Sequence, residues 1–244
     1  MKTVDIVHVR LSWVEDDPGP PAPHLLRGAL GDHFRENPLF HQHEESGAVY
    51  RYPLVQYRWD RRGAVVLGLG AGAEALVRAD WPGMELQVGE RPLHVRDAVC
   101  DFRRHSISLT DHLVRYRFAA PWLPLNQELF QRYRDFTPGA QIRERDRLAV
   151  AGLLIGLRGF GVEIQGRIFA AFEMESSRPC PYKGVQLLGF RGRLLTNLDL
   201  PDGFALGRSV SHGYGWIERD DGFVSGETSH DRHRGIGRKG SSLP

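Results

Sequence analysis

The chain has 244 residues, enough for one large domain or two small ones at roughly 150 residues each. Hydrophobic residues make up 41% and charged residues 25%, the balance of an ordinary globular core, and the formal charge is only +2. Two cysteines, Cys100 and Cys180, with no Cys-x-x-Cys spacing exclude a disulfide scaffold and a zinc ribbon and fit a reducing cytoplasm.

The start, Met1 to Asp5, runs directly into an alternating strand and does not read as a signal peptide. No apolar stretch approaches the roughly 20 residues that cross a bilayer, so no membrane partner is expected. Val7, Val9, Leu11 and Trp13 alternate with His8, Arg10 and Ser12, a period-2 strand with one buried face. A proline-rich loop from Pro18 to Pro23 follows. Leu25, Leu26, Ala29, Leu30, His33 and Phe34 then recur at helical spacing, and Pro38 is expected to stop that helix. Tyr50 to Trp59 reads as a strand, Asp60 to Gly63 as a turn, and Ala64 to Leu69 as the partner strand. Gly70 to Ala79 suits a short helix and Met84 to Val95 returns to strand. The order is β-α-β-β-α-β, the ferredoxin-like unit.

A similar order begins again near His112. Val114, Tyr116 and Phe118 alternate with Arg115 and Arg117. Helices are expected over Leu125–Arg134 and Ile142–Leu157, and strands over Ile164–Glu173 and Val185–Leu198. The second helix of this unit has no signal; a glycine-rich loop occupies its place. The expected fold class is therefore α+β, two tandem ferredoxin-like (RRM-like) domains over residues 1–100 and 101–217. Residues 218–244 are polar, lack apolar periodicity and read as a flexible tail; His230, Asp231 and His233 belong to that solvated tail rather than to a metal site.

Two places carry chemistry. The first is Pro38-Leu39-Phe40-His41-Gln42-His43, with Tyr50 seven residues further on. Imidazole titrates near neutrality, so a pair divides acid and base duties without a metal. If the segment is extended, His41 and His43 project to one face. Such a pair suits RNA scission in which a base takes the proton of the 2′-hydroxyl, the hydroxyl attacks phosphorus, and an acid protonates the departing 5′-oxygen. A plain polar loop is the competing reading. A metal site using His41, His43 and Glu44 or Glu45 is another, although no third histidine recurs at a supporting spacing.

The second place is Gly203 to Gly215. Its glycines permit positive φ and amides turned toward an anion, with Arg208 and His212 as phosphate contacts and Tyr214 as a stacking surface for an unpaired base. The spacing matches neither the dinucleotide fingerprint nor the nucleotide P-loop. All but three of the 32 basic residues are arginine, the planar fork suited to phosphate, although a genome rich in G and C produces the same bias.

Several segments together resemble one family. They are Leu26-Arg27-Gly28-Ala29-Leu30-Gly31, Leu39-Phe40-His41-Gln42-His43 and Tyr52-Pro53-Leu54-Val55-Gln56-Tyr57 in the first half. In the second half they are Leu123-Pro124-Leu125-Asn126-Gln127-Glu128, Lys183-Gly184 with Leu188-Gly189-Phe190, Gly207-Arg208-Ser209-Val210-Ser211 and Gly213-Tyr214-Gly215. This set resembles the CRISPR-associated endoribonucleases that process precursor CRISPR RNA, in their b subgroup within the RAMP superfamily. The resemblance spans about residues 3–217. It implies a cleft between the two domains, metal-independent cleavage inside the CRISPR repeat with no cofactor, and precursor CRISPR RNA as partner. Subunits of an interference complex and a second copy of the chain are further partners it implies. It places the reaction on His41, His43 and Tyr50, and RNA binding on Lys183, Arg208, His212, Gly213, Tyr214 and Gly215. Gly-Tyr-Gly stands where Gly-Phe-Gly is commoner, and His212 where arginine is frequent. A RAMP subunit that holds guide RNA without cutting it is the alternative function.

Overall fold

The computed structural model describes residues 2–15, 23–41, 43–44, 47–48, 52–60, 63–182 and 184–220, with the backbone alone for residues 41, 43–44, 47–48 and 59–60. In chain order the elements are β1 (Lys2–Trp13), α1 (Pro23–His33), α2 (Pro38–His41), β2 (His43–Glu44), β3 (Gly47–Ala48), β4 (Val55–Asp60), β5 (Gly63–Leu69), α3 (Ala71–Arg78), β6 (Glu85–Val88) and β7 (Arg91–Phe118). They continue with α4 (Gln127–Arg134), α5 (Pro138–Gly159), β8 (Ala170–Tyr182), β9 (Val185–Asp199), a 3₁₀ turn (Val210–His212) and β10 (Ile217–Arg219). Among the described residues no helix is long and apolar enough to cross a membrane.

The strand order of the first half is β4-β5-β1-β7, all antiparallel, which is the ferredoxin-like sheet. The second half repeats it as β8-β9-β7-β10. The helix that should precede β10 is absent, as its missing signal implies; the glycine-rich segment with its 3₁₀ turn stands there. Strand β7 is shared. It pairs with β1 through residues 95–107 and with β9 through residues 108–117, so the two sheets are joined by one continuous strand. β10 is a departure from expectation: Ile217–Arg219 pairs with Phe118–Tyr116, across the point where the sequence suggests that the tail begins.

The alternation in β1 has the predicted consequence. Val7, Val9, Leu11 and Trp13 face α1 and α3 and form the first core with Leu26, Leu30 and Leu76. The opposite face is buried at one end only. There Val4 and Ile6 join Leu157, Phe160 and Phe204 of the second core, so the two halves share packed apolar surface. Further along that face, His8 and Arg10 line an open cleft.

Several element readings change. Met84 to Val95 is not one strand but the hairpin of β6 with the start of β7, and the strand expected over Tyr50 to Trp59 has its ladder only from Val55. Helix α5 begins four residues before the expected start, because Thr137 caps it through Oγ1 and Pro138 occupies the first turn. The ladder of β8 begins at Ala170 rather than Ile164. Ile164 and Ile168 pack against the core without pairing, so their apolar alternation reports burial and not a strand. Pro38 opens the one-turn helix α2 instead of ending α1, which stops at His33. Asn37 Oδ1 accepts the Leu39 N–H at 3.1 Å, and proline suits the first helical position.

Candidate functional site

His41 therefore ends a helical turn and His43 starts a two-residue strand. Strand alternation does not relate the two histidines, because His41 belongs to the helical turn α2 and not to an extended strand. Tyr50 and Lys183 lie outside the described residues.

The glycine segment is described in full and corrects another expectation. Several of its amides bond within the protein and so do not face an anion. Leu206 N–H donates to Gly215 O at 3.0 Å, Arg208 N–H to Leu123 O at 2.8 Å, and Gly215 N–H to Pro121 O at 2.9 Å. His212 and Gly213 N–H donate within the 3₁₀ turn. Those five donors are therefore not available to a phosphate. The glycines serve close approach instead. A Cβ at Gly213 (φ 85°) would sit 2.8 Å from Pro23 Cγ and 3.1 Å from the Tyr57 carbonyl oxygen.

His212, Gly213 and Tyr214 line one cleft of about 750 Å³. It also presents His24 from α1, Arg178 from β8, Tyr182 and Arg191 from the β8–β9 hairpin, and Trp216. The cleft thus draws on both halves. Tyr182 and His212 rings lie 5.4 Å apart, and the Tyr214 hydroxyl donates to Pro181 O at 2.9 Å. Burial raises the Tyr214 phenol above its ordinary range, so it stays neutral. Gly215 is buried beneath the cleft. Arg208 is exposed and is not among the residues lining it. Two guanidinium groups with several rings suit a chain of phosphates and unpaired bases. Sequence reading missed His24, Arg178, Tyr182, Arg191 and Trp216. The one available signal was Tyr182 beside the Lys183-Gly184 turn; the others converge only through tertiary packing.

A second cleft, of about 410 Å³, lies on the open face of the first sheet and shares Trp216 with the first. Arg58 is buried there; its guanidinium sits 4.7 Å above the Trp216 ring and donates to Gln56 Oε1 at 2.8 Å and to Gly203 O. Burial pulls its pKa down to about 9, which still leaves it charged at neutral pH.

His8 lines the same cleft, and burial first, then the positive charge of Arg58, lowers its pKa to about 4. The native state therefore binds this proton more weakly than the unfolded chain does, and stability is lost as pH falls from about 6.5 through 4. His8→Gln is expected to lessen that acid loss by roughly 2 kcal/mol, allowing for its partial exposure. Urea unfolding at pH 7 and at pH 4 checks it; an equal loss in both proteins refutes the assignment.

Comparison with known proteins follows the same division into halves. Residues 3–105 match the Cas6b N-terminal domain and residues 108–220 the Cas6b C-terminal domain. A solved structure, "Crystal structure of Cas6b", superposes with a TM-score of 0.77 at 20% identity, covering 90% of this chain and 100% of that one. A second, "Crystal structure of CRISPR RNA processing endoribonuclease Cas6b", gives 0.67 at 19% identity with the same coverage. Among sequences, the uncharacterized protein MJ0978 of Methanocaldococcus jannaschii is 22% identical over 135 residues, 55% of this chain and 92% of that protein. The solved structures share the fold, and with both of its halves matched, this chain belongs to the Cas6b family.

Proposed function

We propose that this protein is an endoribonuclease that cuts precursor CRISPR RNA within the repeat to release guide RNAs. The observation that carries the reading is the Cas6b match across both halves, and one of the superposed proteins is itself named a CRISPR RNA processing endoribonuclease. The cleft of arginines and rings beside the glycine segment supports a single-stranded RNA substrate.

The chemistry assigned here needs no metal. One of His41 and His43, neutral, takes the 2′-hydroxyl proton; the oxygen attacks the adjacent phosphorus; the other, protonated, gives its proton to the departing 5′-oxygen. Bond formation to the 2′-oxygen and loss of the 5′-oxygen leave a 2′,3′-cyclic phosphate and a 5′-hydroxyl. Tyr50 orients the attacking hydroxyl or donates to a non-bridging oxygen, where charge develops. Arg178, Arg191 and Arg208 hold phosphate, Lys183 and His212 add to them, and Tyr214 stacks on a base.

A transcript of the host repeat incubated with excess protein and chelator tests this. Cleavage at one position, with cyclic phosphate and 5′-hydroxyl ends, is the expected result. RNA bound but left intact would replace the reading with a guide-RNA-binding subunit, and activity abolished by the chelator would replace the mechanism with a metal-dependent one.

A further inference from the structure

The segment Tyr52–Arg58 leads into and forms most of β4, and several of its polar groups reach toward the two regions assigned to chemistry. The Tyr52 hydroxyl, its pKa pushed up to about 12 by burial, donates to Ala205 O at 2.7 Å and accepts Ala205 N–H at 3.2 Å. Arg58 donates both to Gln56 and to the Gly203 carbonyl, so this pair holds Gly203. Those contacts fix the start of the glycine segment. Tyr57 differs from its neighbours. Alternation turns it to the other face of β4, into the first core, where it is fully buried. Its hydroxyl donates to the Phe40 carbonyl at 2.7 Å.

That carbonyl is part of the peptide unit joining Phe40 to His41. A helix of one turn is not self-supporting, and its last carbonyls have no partner inside the helix. α2 is held from outside at both ends: Asn37 Oδ1 caps the Leu39 N–H, and the Tyr57 hydroxyl takes the Phe40 carbonyl. The Phe40 ring is locked as well, stacked on Phe34 at 4.2 Å. The backbone carbonyl of Tyr57 in turn forms the floor under Gly213. One residue thus touches both the turn that ends in His41 and the glycine segment, across 17 positions of sequence on one side and far more on the other.

We propose that Tyr57 is the positioning residue for His41: its hydroxyl fixes the peptide plane from which His41 departs, and its backbone seats Gly213, so that acid–base group and RNA-holding segment keep one registration. The proposal rests on the function proposed above. It assigns Tyr57 no contact with RNA. Its effect on rate comes through placement, where an error of an ångström costs much.

Tyr57→Phe keeps the ring and removes only the hydrogen bond. In single-turnover cleavage of a repeat transcript, the rate at saturating protein is expected to fall about tenfold or more while the RNA dissociation constant changes by less than about twofold. In a ¹⁵N-labelled sample the His41 amide resonance shifts, a signature that a general loss of stability does not produce. Asn37→Ala frees the other end of the same turn and is expected to repeat the pattern; it decides the question if Tyr57→Phe does not fold. A folded Tyr57→Phe that cuts at the wild-type rate, or whose loss lies wholly in RNA affinity, overturns the proposal and leaves the endoribonuclease standing. Intact RNA with the wild-type protein overturns both.

Discussion

Replacing His41 or His43 by alanine is expected to slow repeat cleavage by about 10²–10⁴-fold while RNA binding persists. The range is what one well-placed proton transfer contributes. Binding is expected to survive because the proposed RNA-holding groups are the arginines and rings that line the cleft between α1 and the β8–β9 hairpin. The two losses should not multiply. Attack and departure belong to one displacement, so groups serving it act as a unit, and the double variant should fall little below the worse single one. Single-turnover rates and fluorescence anisotropy on the same labelled repeat separate the two quantities. A 2′-deoxy sugar at the scissile nucleotide removes the attacking oxygen, so the wild-type protein should bind that substrate and leave it whole. Continued cutting there, or full activity in both alanine variants, would sink the mechanism.

Where the chain was legible, one physical signal dominated the local structure. β1 was readable because one whole face is buried against helices, which forces strict alternation from Val7 to Trp13. The middle of β7 carries no such pattern. Over residues 96–104 it pairs only with β1, and all but Ala98 are exposed, so neither face demands apolar residues. The joint between the two halves was therefore invisible as a strand. α2 was hidden by the double meaning of proline, which ends one helix and opens another; only the Asn37 cap decides between them. Three residues of β10 are too few to show a period.

The candidate site divides in the same way. His41 and His43 lie two positions apart in sequence, so the chemistry proposed for them rests on sequence alone. Arg178 and Arg191 sit on opposite arms of a hairpin and meet His24 only after the halves pack together. The glycines were visible as a requirement for positive φ, which Gly203, Gly207, Gly213 and Gly215 all show, but their close approach to neighbouring backbone and side chains was not. Exposed amides and tight approach both demand glycine, and sequence does not distinguish them; at Gly203, Gly213 and Gly215 the internal amide bonds do. The run from Tyr52 to Tyr57 was legible as part of a strand and as a resemblance but not as a brace, because a brace has meaning only when both things it braces are in place.

If the glycines are there for close approach, Gly215→Ala is expected to be among the most damaging small substitutions in the chain. Gly215 sits at φ 69°, where a residue with a Cβ is strained by roughly 1–2 kcal/mol. Gly83 at φ 80° carries the same strain, but a Cβ there would meet nothing within 4 Å. At Gly215 the added carbon would drive into the Leu206 carbonyl oxygen, part of the residue whose N–H bonds Gly215 O. Backbone on both sides must then part, and overpacking of that kind adds roughly 1–3 kcal/mol. Gly83→Ala serves as the control, since it shares the strain without the collision. Urea unfolding should place Gly215→Ala below Gly83→Ala by that second amount. Because the bonds to Leu206 and Pro121 hold His212 and Tyr214 in place, RNA affinity should fall in Gly215→Ala and stay unchanged in Gly83→Ala. Equal stability of the two variants would mean that glycine is present at 215 for its dihedral angle alone; a stability gap with undiminished RNA affinity would remove the glycine segment from the binding surface.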